Sequence, residues 1–386
     1  MRYVDEYREP RLVRELMHEL AGLRVPRPLT IMEVCGSHTM ALSRFGLRKV
    51  LPPEVRLVSG PGCPVCVTPS GYIDQAIALA GRPEVIVASF GDLLRVPGSG
   101  QSLEEARAEG GDVRVVYSVL DALELARANP ERAMVFLAIG FETTAPTAAA
   151  AVAQAEDEGI ANFYLLTELK VMPPPMRALL EAQDVRVDGF LLPGHVSAIV
   201  GWGAFRFLPE EYGAACAVAG FEPVDLLRAL AAVMVQLTEG RPSLANTYDR
   251  VVTEEGNLAA QGLLRKYFHP VSSYWRGIGE LPASGLGLLP GLAHRDARAA
   301  FSLEPAQGRD NPACRCGDVL RGAITPPECP LFAGRCTPAS PQGACMVSSE
   351  GTCAAYFRYE RLAGGRHPSD RGTSAGANLK AEEISP

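Results

Sequence analysis

The sequence predicts an α/β fold: two similar tandem parallel-sheet domains facing a cleft, then a C-terminal cysteine-rich domain. Three observations carry this. Short apolar runs, each ending in a glycine-containing turn, alternate with helical patterns over the first 240 residues, as in strands joined by crossover helices. Three such runs recur in the same order, offset by 105 at Cys35/Gly140 and by 103 at Phe90/Pro193. After residue 240 proline and glycine become dense, periodicity fades, and six cysteines fall between 314 and 353.

The elements follow in order. Residues 1–24 place Leu12, Leu16 and Leu20 on one face of a helix, expected to pack on the C-terminal domain. Domain I, 25–130, has strands in "LTIMEVCGSHT" (29–39), "EVRLVSGPGCP" (54–64) and "EVIVASFGD" (84–92). Its helices lie in "GYIDQAIALAG" and "VLDALELARAN". Domain II, 131–240, repeats the strands in "MVFLAIGFETT" (134–144), "NFYLLTELKVMPP" (162–174) and "VDGFLLPGHVS" (187–197). Its helices lie in "APTAAAAVAQAEDEG" and "PPMRALLEAQ". Residues 241–362 form the cysteine-rich domain, and 363–386 read as a disordered, Gly/Ser-rich tail. Ligands of parallel α/β sheets bind beyond the C-terminal strand ends, where "CGSHT", "GPGCPVC", "GFETT" and "PGHVS" all sit.

Composition bounds the function. The 386 residues are 47% hydrophobic and 21% charged, with a net charge of −7, an ordinary globular balance. No Lys/Arg block interleaves with aromatics, so no nucleic acid partner is expected. Acids throughout the first helix exclude a signal peptide. The run "LLRALAAVMVQL" is short and contains Arg228, so no membrane span is expected. The expected location is cytoplasmic. In a reducing cytosol, ten cysteines point to metal or redox chemistry.

Cys35 ends a strand where a helix begins, a position that favours thiolate. His38, three residues on, suggests either a Cys–His nucleophile or a soft metal ligand with a nearby proton donor. In "GPGCPVC", Pro64 suits the first turn of a helix continuing toward "IDQAIALA". Cys63 and Cys66 then lie about one turn apart, as a redox dithiol or a ligand pair. Glu142 and Thr143 are helix-start caps or site residues, and His195 stands where the first copy has Asp92. Cys216, in a helical "YGAACAVAGF" pattern, reads as core. The six C-terminal cysteines, unevenly spaced and without a C-x2-C knuckle, suit a cubane iron–sulfur cluster, with zinc as the alternative.

"CGSHT", "GPGCPVC", "GFETTAPT", "LPGHVSAIVG" and "CxCGxVLRG…CPLFxxxCTPxxPxGxCMVSSEGxCAAYFRY" together resemble the HypD family of nickel–iron hydrogenase maturation factors, from about residue 10 to 360. The resemblance implies a scaffold on which an Fe(CN)2CO group is assembled. Its partners would be a HypC-type small chaperone and a HypE-type cyanide donor. It makes Cys35 the ligand of the transient iron, with His38 and Thr39 lining that site, and Cys63 and Cys66 a redox-active dithiol. Glu142 and His195 complete the candidate site. The family's C-x12-C-x6-C-x16-C pattern for a 4Fe–4S cluster lands on Cys316, Cys329, Cys336 and Cys353, leaving Cys314 and Cys345 over. The competing reading is a cluster-linked disulfide reductase in which Cys63 and Cys66 turn over and Cys35 is incidental. A zinc-stabilised Cys–His acyl-transfer enzyme would also need an orienting acid near His38.

Overall fold

The computed structural model describes residues 4–25, 27–182, 185–304 and 308–360. Its strands are β1 (Leu29–Glu33), β2 (Val55–Ser59), β3 (Val85–Ser89), β4 (Val113–Val115), β5 (Ala133–Gly140) and β6 (Phe163–Lys170). They continue with β7 (Gly189–Pro193), β8 (Ala215–Ala219), β9 (Leu244–Asn246), β10 (Phe268–Trp275) and β11 (Gly279–Leu288). One sheet runs β2-β1-β7-β8-β9, parallel throughout. The other runs β10-β11-β6-β5-β3-β4, parallel from β6 to β4, with the β10–β11 hairpin added antiparallel.

The repeat is real, but its copies exchange strands. In copy order, β2-β1-β7-β8 matches β6-β5-β3-β4. Each sheet therefore takes strands one and two from one copy and strands three and four from the other. A boundary at 130/131 divides the copies but not the sheets. Parallel strands covered on both faces read as the same apolar run whichever sheet they join, so the exchange leaves no local trace. The chain crosses between sheets three times, from β2 to β3, from β6 to β7 and from β9 to β10. The dithiol loop lies on the first crossing.

One core runs between the sheets, from Met32 and Val58 through Val87, Leu137 and Phe190 to Val319 and Met346. The outer face of the second sheet is closed by helices Val119–Ala128, Ala145–Asp157 and Leu258–Tyr267. The outer face of the first is closed by helices Gly36–Arg44, Pro223–Glu239 and Pro10–Gly22.

Four expectations change. The N-terminal helix lays Leu20 and Leu16 against Pro223–Glu239, not on the C-terminal segment. Cys216 is core, as expected, but in strand β8 rather than a helix. The helix beginning at Pro64 stops at Val67, and a separate helix spans Ser70–Ala80, because the residue before Pro69 is pushed out of the helical region. The segment 241–362 is regular at its start, where β9 joins one sheet and the hairpin extends the other. The tail 363–386 lies outside the described residues. Among those, no helix is long and apolar enough to cross a membrane.

Candidate functional site

The C-terminal strand ends of both sheets meet around a cavity of about 200 Å³. Its lining comes from five strand-end turns: Cys35 and Ser37 after β1, Gly62 and Pro64 after β2, and Phe141 and Thr143 after β5. Met172 after β6 and His195 after β7 complete them, and Glu350 of the cysteine-rich segment closes the wall. The first two turns are laced backbone to backbone. Gly60 N–H donates to Glu33 O (2.7 Å) and Gly36 N–H to Gly62 O (2.9 Å). Gly62 must be glycine, since a Cβ there would stand 2.2 Å from the Cys35 backbone nitrogen.

Cys35 occupies the N-cap of helix Gly36–Arg44 and is buried. Burial pushes its thiol up to about 12. The backbone N–H groups of His38 and Ser37 pull the other way, while Glu350 and Glu33 add to the rise. Helix-terminus acidification, expected from sequence, is present but outweighed by desolvation. Beneath Cys35, Glu33 is fully buried. It accepts from Thr39 Oγ1 (2.6 Å) and from Arg48 Nη2 (3.3 Å). Burial lifts its carboxyl to about 7. Thr39 thus serves this carboxylate below the cavity.

His38 is turned away from the thiol. Its Nε2 lies 3.2 Å from Ala219 O, an acceptor, so Nε2 carries the proton. Its Nδ1 is buried without a partner among the described residues, and desolvation lowers the ring to about 4, leaving it neutral near pH 7. Phe221 stands between the two histidines, 5.0 Å from the His38 ring and stacked 3.9 Å from His195. His195 is held below the usual imidazole range by partial desolvation, with Glu350 acting against this.

Glu142 is not a cap, since helix Ala145–Asp157 begins at Thr144 without a side-chain cap. Its Oε1 accepts Met172 N–H (2.9 Å), tying the β5 turn to the β6 turn. Its Oε2 is buried and unpartnered, and burial raises the carboxyl to about 7. Glu350 was not among the sequence candidates. It accepts from Ser37 Oγ (2.5 Å) and packs on Gly36. One signal was available: it is the only charged residue between Cys336 and Cys353.

Cys63 and Cys66 are buried on the short helix Pro64–Val67. Cys66 meets the C-terminal segment, where its thiol interacts with Cys345 and lies 4.0 Å from Ala344 O. Cys345 in turn interacts with Cys316 and Cys353. The thiols that act on Cys336 are Cys353, Cys314 and Cys329, and burial lifts Cys336 to about 11. Gln342 N–H points at Cys336 Sγ (3.4 Å). The donors are the thiolates and backbone N–H that iron–sulfur sites use. Among the described residues no three His, Cys, Asp or Glu side chains stand close enough together to hold a metal ion.

The chain matches the family model described as "HypD: Hydrogenase formation hypA family" over residues 11–360. It is 47% identical over 371 residues to "Hydrogenase maturation factor HypD" of Rhizobium leguminosarum bv. viciae, covering 94% of this chain and 96% of that one. The protein of the same name from Azotobacter vinelandii is 47% identical over 369 residues, 94% of this chain and 97% of that one. The one from Escherichia coli (strain K12) is 45% identical over 368 residues, 94% and 99% respectively.

Proposed function

Since the chain belongs to the HypD family of hydrogenase maturation factors, we propose that it is the scaffold on which iron acquires two cyanides and one carbon monoxide. The observation that carries this is Cys35, a single thiol on a small cavity lined from both sheets, with Glu350 and His195 on the same wall. Iron is the substrate. A thiol held near 12 stays protonated until a metal displaces the proton, so capture of iron releases one proton from Cys35. Glu350 lines the same cavity. Soft thiolate suits iron that carries strong-field ligands. Thr143 and His195 offer O–H and N–H to cyanide nitrogens, and Phe141, Met172 and Val196 keep water from the carbon monoxide side.

Cys63 and Cys66 would form the redox dithiol: closing the disulfide releases two electrons and two protons, and opening it takes them back. Four thiolates of the C-terminal segment would hold a 4Fe–4S cluster, which supplies one-electron chemistry when bound. The family's pattern implies Cys316, Cys329, Cys336 and Cys353 as those four. A HypC-type chaperone would bring a second cysteine to the iron, and a HypE-type protein the cyanide. The work would be done in the cytoplasm.

The test is anaerobic co-purification with the small chaperone, followed by infrared spectroscopy. Metal-bound cyanide and carbon monoxide bands that vanish in Cys35→Ala are the expected result. Their absence from a preparation active in maturation overturns the scaffold. The contact between Cys66 and Cys345 favours a second reading, a disulfide reductase acting on another protein. In that case Cys35→Ala keeps full thiol turnover and Cys63→Ser abolishes it.

A further inference from the structure

We infer that Arg276 is a positioning residue that straps the dithiol helix to the cysteine-rich segment and lends positive charge to the thiols gathered there. The charge half of this rests on the cluster reading above; the strap half does not. Arg276 sits at the tip of the β10–β11 hairpin and is 4% exposed. Its backbone N–H donates to Val67 O (3.0 Å) and its Nε to Thr68 O (2.8 Å). These carbonyls end the helix that carries Cys63 and Cys66, where a cation offsets the negative end of the helix dipole. Its Nη1 pairs with Asp310 Oδ1 (2.7 Å), on the strand of chain leading to Cys314.

The last nitrogen, Nη2, is buried and has no hydrogen-bond partner among the described residues. A buried donor left unmade is costly and marks a place where an acceptor belongs. The guanidinium is held at Asp310, four residues before Cys314. It also lines a cavity of about 620 Å³ with Asn311 and Gln342, and Gln342 gives its N–H to Cys336 Sγ. The hairpin tip is fixed against this segment: Gly277, at φ +82°, leaves only 2.3 Å between a Cβ and the Gly317 Cα. One planar fork therefore serves the helix end and Asp310 at once, a geometry lysine cannot copy. A cluster on four thiolates gains a further negative charge on reduction, and a buried cation beside it favours that step.

The test uses the full chain, loaded anaerobically, with Arg276→Gln and Arg276→Lys. With iron and sulfide content equal to wild type, the midpoint potential should fall in the Gln variant and hold in the Lys variant. In the metal-free proteins, alkylation of Cys66 should be several-fold faster in both variants, since neither keeps the fork. A loaded Gln variant with the wild-type potential overturns the charge role, and wild-type alkylation rates in both variants overturn the strap. If the Gln variant does not fold, the Lys variant still decides the strap by its alkylation rate. A wild-type chain that takes up no iron and sulfide overturns the cluster reading and the charge role with it, and leaves the strap to the alkylation result.

Discussion

The two copies of the repeat turn from strand to helix by the same route and carry opposite chemistry. In the first copy, backbone hydrogen bonds tie the β1 turn to the β2 turn, and the Cys35 side chain takes no part in them. In the second, a side chain makes the tie: Glu142 spends one carboxylate oxygen on Met172 N–H. Where the first copy has Cys35 the second has Gly140, at φ +151°, and a Cβ there would lie 2.5 Å from that of Thr144. A thiol cannot be moved to that position without remaking the turn. Where the first copy has its dithiol, the second has prolines starting helix Pro173–Glu181. The second copy therefore forms the same strands and turns with neither set of cysteines.

The comparison is broken most severely at Gly62. Gly62→Val sets side-chain atoms into backbone that a Cβ alone would already approach to 2.2 Å. The β1 and β2 turns must part, at a cost above about 3 kcal/mol, the upper range for overpacking because backbone cannot yield as a side chain does. Denaturant midpoints should fall accordingly, and the infrared bands should be lost even though Cys35 is intact. Unchanged midpoints would mean that the backbone lacing is not what holds the cavity.

Glu142 gives the next effect, with a sign fixed by its burial. A carboxyl raised from 4.5 to about 7 in the fold favours the folded state fully below pH 4.5, and that advantage is lost as pH rises through 7. Glu142→Gln removes the titration. Between pH 5 and 8 the wild type should therefore lose on the order of 2 kcal/mol relative to the Gln variant. Glu33 titrates in the same range in both proteins, so the quantity to read is the difference between their denaturation curves. Parallel curves would show that the second-copy tie does not depend on charge.

Much of this was legible in the sequence because it is local. The strands, the crossover helices and the turns carrying Cys35, Cys63 and His195 follow from apolar runs that end in glycine or proline. The exchange of strands was not legible, since β3 and β7 have the same pattern in either sheet. The direction of the Cys35 shift was misjudged because a helix start is visible in sequence whereas full burial is not. Glu350 escaped because it reaches Ser37 from 313 residues away, out of an irregular segment with no period to locate it. Spacing sets His38 beside Cys35, and the family resemblance sets Thr39 at the same site. Their side chains turn to Ala219 and Glu33, partners that only the packed structure supplies.

Cys216 offers the gentlest test, as a sulfur buried as deeply as Cys35 but assigned no chemistry. It lies in β8 at zero exposure, its thiol pushed to about 12 by burial and aimed at Ser243 O, 3.5 Å away. Cys216→Ala deletes one buried heavy atom and one weak hydrogen bond, so a loss of about 1 kcal/mol is expected by denaturation. Infrared bands and iron content should not change. Cys35→Ala should cost a similar amount of stability and, unlike Cys216→Ala, erase the bands. The two thiols share high values for the same reason, desolvation, so burial by itself does not select a functional cysteine. What separates them is that Cys35 opens on a cavity lined from both copies, whereas Cys216 is enclosed by β7, β9 and its own strand. If Cys216→Ala lost the bands while keeping its stability, that distinction would fail, and the iron site would have to reach through the first sheet.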